Sequence, residues 1–133
     1  MTAPAPTRTG NGTAYVRLDR NNAFTTDIEI EGMAFRGLID TGAGSVVVRY
    51  EDAQRLGLFR HGYNWSQTVR TANGNGKAMA VRLNNVTIGD LTVYDVEAIA
   101  LGPQAVPINL IGMSLLRRLS RFEIKPDMVI LER

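Results

Sequence analysis

Apolar and polar residues alternate along much of the chain, which is the pattern of half-buried β-strands. Residues 24–30 are the clearest case, because Phe24, Thr26, Ile28 and Ile30 share one face and polar or charged residues occupy the other. The same kind of pattern, with turn residues between the segments, predicts a series of short strands. These cover residues 15–18, 24–30, 33–40, 45–49, 68–72, 78–83, 86–88, 91–100, 108–112, 122–124 and 128–131.

Two short helices interrupt this series of strands. Residues 50–56 have helical spacing, and Gly57 is predicted to end this helix. Residues 114–119 are the second predicted helix, with Ser114 as its N-cap. Asn and Gly at positions 73–76 predict a hairpin turn, since both accept positive φ. The fold class predicted is mostly β: a closed or sandwich-like antiparallel domain with one or two short helices.

The 133 residues are enough for one domain with its own core. Residues 1–13 are rich in Pro, Thr, Ala and Gly and are predicted to be a flexible N-terminal tether, and residues 14–133 are predicted to be the folded domain. No run approaches the roughly 20 apolar residues that cross a bilayer. We therefore expect no membrane segment in this sequence, while an anchor upstream of it stays compatible with the pattern.

Composition narrows the possible chemistry. The net charge of +2 comes from 15 basic and 13 acidic residues without a basic cluster, so a nucleic-acid partner is not expected. Arg117, Arg118 and Arg121 are predicted to be solvated. With no cysteine, a thiol nucleophile is excluded. The single histidine, His61, disfavours a Ser-His-Asp triad and a His-rich zinc site. Carboxylates, hydroxyls, lysine and arginine remain as the candidates for catalysis.

Asp40 stands out among the carboxylates because it ends the apolar strand that contains Leu38 and Ile39. An unpaired carboxylate in apolar surroundings is costly. The small residues that follow it allow backbone N–H groups to hold the carboxylate. It could be a nucleophile, a metal ligand, half of an acid/base pair, or a structural cap of the turn. No second acidic residue lies close by in sequence, which disfavours a metal site.

Other carboxylates are predicted to face solvent. They are Asp27, Glu29, Glu51, Asp52 and Glu123, all at alternating or helical positions.

The tetrapeptide Asp40-Thr41-Gly42-Ala43, after an apolar pair, resembles the active-site signature of the retropepsin-like aspartic proteases. The resemblance implies an aspartic endopeptidase, with Asp40 as the catalytic residue and Thr41, Gly42 and Ala43 supporting the turn. It implies neither a metal nor an organic cofactor. Viral members of the family often carry acidic residues directly after the alanine, whereas this chain has Gly44 there.

A second signature strengthens the resemblance. Leu110 and Ile111 form an apolar pair before Gly112, which opens a short helix, and the family carries such a motif beneath its active-site turn. The hairpin between the two signatures occupies the place of the family's flap. The implied flap residues are Ala72, Asn73, Gly74, Asn75 and Gly76.

The resemblance also implies the assembly. Aspartic proteases use two carboxylates that share a proton around a water molecule. Because the chain carries one Asp-Thr-Gly, the second aspartate is expected from a second copy, in a homodimer that acts on a polypeptide substrate. The motif order is similar to that of bacterial members, many of which are anchored in the inner membrane with a periplasmic catalytic domain. A periplasmic, membrane-anchored location is therefore implied.

Two alternatives remain open at this point. The domain could be a non-catalytic retropepsin-like module that binds peptides or dimerises, or a β-rich interaction domain unrelated to proteases. For a protease, Val48, Val81, Ile99 and Val106 are predicted to be apolar walls of the substrate groove.

Overall fold

The computed structural model describes residues 7–8, 12–71, 74–103 and 106–133, and this part of the chain forms eleven strands and two short helices. Most predicted elements are present with boundaries shifted by one to a few residues. The strands are β1 (Thr7–Arg8), β2 (Thr13–Arg17), β3 (Thr25–Ile30), β4 (Met33–Ile39), β5 (Val46–Val48), β6 (Gln67–Thr71), β7 (Gly74–Ile88), β8 (Leu91–Leu101), β9 (Asn109–Ile111), β10 (Arg121–Ile124) and β11 (Met128–Glu132), and the helices are α1 (Tyr50–Arg55) and α2 (Met113–Leu116).

The strands form two sheets. Sheet A has the order β1-β2-β11-β10, and sheet B has the order β3-β4-β9-β5-β8-β7-β6. An additional pairing of β3 with β7 closes sheet B on itself. Most pairings are antiparallel, so the predicted fold class is confirmed. The exceptions are the parallel pairs β4–β9 and β5–β8.

Strand β9 lies between β4 and β5, the two strands that flank Asp40 in sequence. Its Leu110 is level with Leu38 of β4 and Val47 of β5, and its Ile111 is level with Ile39. The late apolar segment is therefore inserted beneath the early turn. This pairing brings the two sequence signatures into direct contact.

The core follows the alternation of the strands. Ile28 and Ile30 are 2% and 0% exposed, whereas Asp27 and Glu29, which alternate with them, are exposed. Fully buried side chains from both sheets and from α2 form one large cluster. A smaller cluster outside it contains Val47, Ala78 and Leu101, with Val69, Ile99, Val106 and Leu110 packed against it.

Helix α2 differs from the prediction. It runs from Met113 to Leu116 with Gly112 at the N-cap position, so Ser114 is not the cap. The Ser114 side chain is buried instead. Its Oγ accepts a hydrogen bond from Val46 N–H at 2.9 Å and donates one to the Glu97 carbonyl at 2.7 Å. Ser114 thus joins α2 to the strand that follows the Asp40 turn.

The N-terminal segment contributes a short strand. Thr7 and Arg8 of β1 pair with Tyr15 and Ala14 of β2. The predicted division between a tether and a domain after residue 13 stays a prediction. None of the described helices is long and apolar enough to cross a membrane.

Candidate active site

Asp40 follows directly after β4, at the point where β4, β9 and the next turn meet. Its N–H donates to the Ile111 carbonyl at 3.1 Å, which continues the parallel pairing by one residue. Its Oδ1 accepts the Gly42 N–H at 2.9 Å, and its carbonyl accepts the Ala43 N–H at 3.3 Å. The backbone on both sides of Asp40 is thereby fixed, and the carboxylate has a defined orientation.

The Asp40 carboxylate makes no ion pair in the described part of the chain, and the Gly42 N–H is its hydrogen-bond donor there. The residue is half-buried and its neighbour Thr41 is exposed. One oxygen is thus held by the turn, and the other can bind water or a substrate. A Cβ at position 42 would lie 3.2 Å from Oδ1, so glycine leaves room for this close hydrogen bond.

Gly112 supports the turn from below. Met113 N–H donates to the Ala43 carbonyl at 2.8 Å, so the start of α2 is bonded directly to the turn. A Cβ at position 112 would lie 2.1 Å from the Ser45 carbonyl oxygen and 2.7 Å from the Ala43 carbonyl oxygen. Both atoms belong to the backbone of the turn and its exit, so only glycine fits here without moving the site.

A strip of apolar side chains lies on one face of the sheet beside Asp40. Leu38, Leu110 and Val47 are level with one another on neighbouring strands, so their side chains share a face. Val47 and Leu110 belong to the smaller cluster, which also includes Ile99 and Val106. We call this cluster the apolar wall.

Of the four residues predicted to line the groove, Ile99 and Val106 belong to the apolar wall, and Val48 and Val81 do not. Val48 is 0% exposed and lies in the main core, which makes its prediction as a groove residue wrong. Val81 packs against the main core as well.

The predicted flap lies on the hairpin of β6 and β7. Thr71 pairs with Gly74, Arg70 with Asn75, and Val69 with Gly76. Gly74 has φ +101°, a conformation that favours glycine, and both Gly74 and Asn75 are exposed.

Strand β6 is an edge strand of sheet B, and β7 continues from the hairpin to pair with β8, where Ala78 opposite Leu101 contributes to the apolar wall. Ala72 and Asn73 lie outside the described residues.

A buried polar cluster behind the site is absent from the sequence predictions. Asp52, expected on a solvent face, is 5% exposed. Its carboxylate accepts hydrogen bonds from Arg49 Nε at 3.0 Å and Nη2 at 3.1 Å, and from Asn109 Nδ2 at 2.8 Å. The hydrogen bond to Asp52 raises the pKa of Arg49, so this guanidinium stays charged.

Asn109 links this cluster to the strands of the site. Its side chain donates to the Arg36 carbonyl of β4 at 2.9 Å and accepts the Arg49 N–H at the end of β5 at 2.8 Å. Since Asn109 is only 1% exposed, these bonds replace those that water would make. The cluster therefore fixes β9 between its two neighbours, two residues before the carbonyl that holds Asp40.

We expect Asp52→Ala to lower the free energy of unfolding by about 3 kcal/mol, because it leaves Arg49 and the Asn109 amide without their buried acceptor. Urea unfolding followed by circular dichroism measures the effect. Asp27→Ala is the matched control, since it removes the ion pair between Asp27 and Arg36. The Asp27 side chain is 57% exposed. Its cost should stay below about 1 kcal/mol. Equal costs for the two variants would contradict the role of the cluster.

Other predicted features have clear places in the structure. His61 is exposed in the segment after α1, and Arg117, Arg118 and Arg121 are exposed as well. Trp65 is half-buried and stacks on Tyr63 with a centroid distance of 5.0 Å. Among the described residues, no group of three or more His, Cys, Asp or Glu side chains could hold a metal ion.

Comparison with known proteins agrees with this geometry. Residues 26–118 match the sequence profile of the family described as "gag-polyprotein putative aspartyl protease". This range includes the Asp40 turn, the β6–β7 hairpin, β9 and α2. The chain belongs to this retropepsin-like aspartic protease family.

Solved structures of the family share the fold. A retropepsin-like aspartic protease from Rickettsia conorii is 32% identical, with a TM-score of 0.79, and the match covers 90% of this chain and 89% of that one. The EIAV protease in complex with the inhibitor HBY-793 is 17% identical with a TM-score of 0.62, covering 83% of this chain and 100% of that one. The second likeness supports the fold alone.

Two uncharacterized bacterial proteins are relatives in sequence. One, from Rickettsia prowazekii (strain Madrid E), is 36% identical over 124 residues, which are 93% of this chain and 48% of that protein. The other, encoded in the cobV 5′ region of a Sinorhizobium species, is 34% identical over 107 residues, which are 80% of this chain and 46% of that protein. This retropepsin-like chain thus spans about half the length of the curated relatives it matches.

Proposed function

We propose that the chain is an aspartic endopeptidase whose active site is completed by the Asp40 of a second copy. The observation that carries the proposal is the hydrogen bonding of Asp40. Its backbone is fixed by Ile111 and Ala43, one carboxylate oxygen is held by the Gly42 N–H, and the other is open. A carboxylate so oriented is preorganised to act on a water molecule, but one carboxylate cannot be both the base and the acid of the same step.

Two such carboxylates on a two-fold axis supply both roles. They lie close together and share one proton, because two like charges at short distance cannot both ionise easily. The ionised carboxylate takes a proton from water as the oxygen attacks the scissile carbonyl. The protonated carboxylate donates its proton to the carbonyl oxygen. Transfer of a proton from the dyad to the nitrogen of the scissile bond then allows the C–N bond to break.

The surroundings suit a peptide substrate. Val47 and Leu110 of the apolar wall lie on the face of the sheet that carries Leu38, beside the Asp40 turn, and can accept apolar side chains. In the proposed complex the β6–β7 hairpin closes over the peptide, and its glycines permit that movement. Exposed Thr41 would hydrogen-bond across the axis and fix the two turns relative to each other.

The first test is cleavage of a peptide library as a function of chain concentration. If two copies form each site, the rate should rise with the square of the concentration at high dilution and linearly once the chains are paired. Sedimentation equilibrium on the same samples gives the monomer–dimer constant for comparison. A rate linear in concentration throughout, from a chain that sediments as a monomer, would refute the shared site. Peptide binding without cleavage at any concentration would favour the non-catalytic module instead.

The location implied by the resemblance, periplasmic and anchored in the inner membrane, is also a proposal. Protease accessibility of the full-length protein in spheroplasts tests it. Protection of the domain until the inner membrane is lysed would refute it.

A further inference from the structure

We propose that a pocket between α1, the β3–β4 hairpin and the segment before β9 binds a carboxylate that is attached to an apolar group. Such a ligand is the C-terminal residue of a peptide whose last side chain is apolar, or a free acid of the same kind. The pocket has a volume of about 360 Å³, within the range of small-ligand sites. None of its lining residues belongs to the Asp40 turn or to the apolar wall, so the site is additional to the one that the proposed function uses.

The buried polar cluster reaches this pocket through Arg49 and Asp52. The Asp52 carboxylate is already occupied, because it accepts two hydrogen bonds from Arg49 and one from Asn109. Arg49 Nη1 lies 3.5 Å from the Pro107 carbonyl oxygen, at the limit of hydrogen-bond distance. This nitrogen therefore remains available to a ligand in the pocket.

Arg55 supplies a guanidinium that has no hydrogen-bond acceptor among the described residues. Its Nη1 is 3.9 Å from Asp52 Oδ1, which is too far for a hydrogen bond. The Arg55 Cζ lies 4.6 Å from the centroid of the Phe35 ring, in a cation–π contact. Because this contact already holds the guanidinium at the pocket, a ligand loses less affinity in ordering it.

The charges of the pocket favour a singly charged anion. Three arginines and two aspartates give its lining a net charge of +1, namely Arg36, Arg49, Arg55, Asp27 and Asp52. Both aspartates are paired with arginine, Asp27 with Arg36 at 2.6 Å, so neither is left to attract a cation. A carboxylate fits this balance better than a doubly charged phosphate does, and a guanidinium can bind it through two parallel N–H groups.

Apolar groups form the rest of the lining. They are Ala34, Phe35, Pro107 and Ile108. Phe35 is 6% exposed and Ile108 is half-buried, so this apolar surface is already fixed in the folded chain. An apolar group next to the carboxylate of the ligand would lose contact with water there, which strengthens binding. A carboxylate without such a group, for example acetate, lacks this contribution.

An NMR titration of the wild-type chain with N-acetyl-leucine provides the test. The backbone amide signals of Arg49 and Arg55 should shift and reach saturation. N-acetyl-leucinamide lacks the charge and acetate lacks the apolar group, so each should bind at least about tenfold more weakly. The peptide acetyl-glycyl-glycyl-leucine separates the two sources of the ligand. Binding at least as tight as that of N-acetyl-leucine indicates a peptide C-terminus, and weaker binding indicates a free acid.

Two variants locate the site. Arg55→Gln should raise the dissociation constant of N-acetyl-leucine by about tenfold, because it removes the guanidinium that has no acceptor. Arg117→Gln is the matched control, since Arg117 ends the other helix, is 62% exposed and lies 4.0 Å from a carboxylate oxygen of Glu97. It should bind as wild type does. N-acetyl-leucine should also stabilise wild type and Arg117→Gln against urea, and Arg55→Gln much less.

The outcomes decide the proposal without any measurement of peptide cleavage, so they are independent of the proposed peptidase. Equal binding of N-acetyl-leucine and N-acetyl-leucinamide, or unchanged binding by Arg55→Gln, would overturn the site. Acetate or inorganic phosphate binding as tightly as N-acetyl-leucine would refute the proposed ligand. Circular dichroism checks the fold of each variant. If Arg55→Gln does not fold, Arg55→Lys replaces it, because lysine keeps the charge but has no planar pair of donors.

Discussion

Asp40→Asn is expected to lower peptide cleavage by about a hundredfold to ten-thousandfold, which is the range expected for the loss of general acid–base catalysis. The amide cannot take a proton from water or share one with the opposite carboxylate. Its Oδ1 can still accept the Gly42 N–H, and the backbone bonds to Ile111 and from Ala43 do not involve the side chain. The fold should therefore survive. The measurements are kcat/KM on a cleaved library peptide and the free energy of unfolding in urea.

The matched control is Glu51→Gln, the same chemical change at an exposed position of α1. It should leave both measurements nearly unchanged. Asp40→Asn chains that cleave as fast as wild type would refute the assignment of Asp40 as the catalytic residue. An inactive variant that has also unfolded would be replaced by Asp40→Ser, which removes the carboxylate without adding bulk.

Subunit mixing extends the same prediction to the assembly. When wild type is mixed with an excess of Asp40→Asn chains, most wild-type copies pair with an inactive partner. The wild-type activity should then fall well below that of wild type alone at the same concentration. A monomeric site would be unaffected by the added chains. Unchanged activity would therefore contradict the shared dyad, even if the single variant is inactive.

Much of the fold is predictable from local pattern because most strands are half-buried and alternate cleanly. Thr25–Ile30 and Met33–Ile39 follow the hydrophobic alternation almost residue by residue. The insertion of β9 between β4 and β5 is different. A short, mostly apolar segment indicates a buried strand but not which strands flank it. Both neighbours of β9 are distant from it in sequence. Here the family resemblance, not the periodicity, links the two signatures.

The polar cluster shows where pattern reasoning fails. Asp52 is a charged residue next to Glu51 in a predicted helix, so its position in the sequence predicts a solvent face. The informative signal is Asn109, which interrupts the apolar segment of β9 and must find hydrogen-bond partners when buried. That signal indicates a partner but not its identity, because Arg49, Asp52 and Asn109 meet only in the folded chain.

Gly112→Ala should destabilise the protein by about 4 kcal/mol or more, an exceptional cost for a single methyl group. The added Cβ would meet the Ser45 carbonyl oxygen at 2.1 Å and the Ser45 carbonyl carbon at 2.6 Å. Both are backbone atoms at the exit of the Asp40 turn, so relief requires moving the turn or breaking the 2.8 Å hydrogen bond from Met113 to Ala43. Urea unfolding measures the loss, and a variant that retains its fold should still lose peptidase activity.

Gly44→Ala is the control for this prediction because it places the same methyl group in the same turn. A Cβ at position 44 would have no heavy atom within 4 Å, and the residue needs no left-handed backbone. Its free energy of unfolding should therefore stay within about 1 kcal/mol of wild type. Comparable losses in the free energy of unfolding for both variants would contradict a constraint specific to Gly112. A large loss of stability at Gly112 alone would locate the constraint where β9 passes beneath Asp40. The turn would then depend on the missing side chain at this one supporting position.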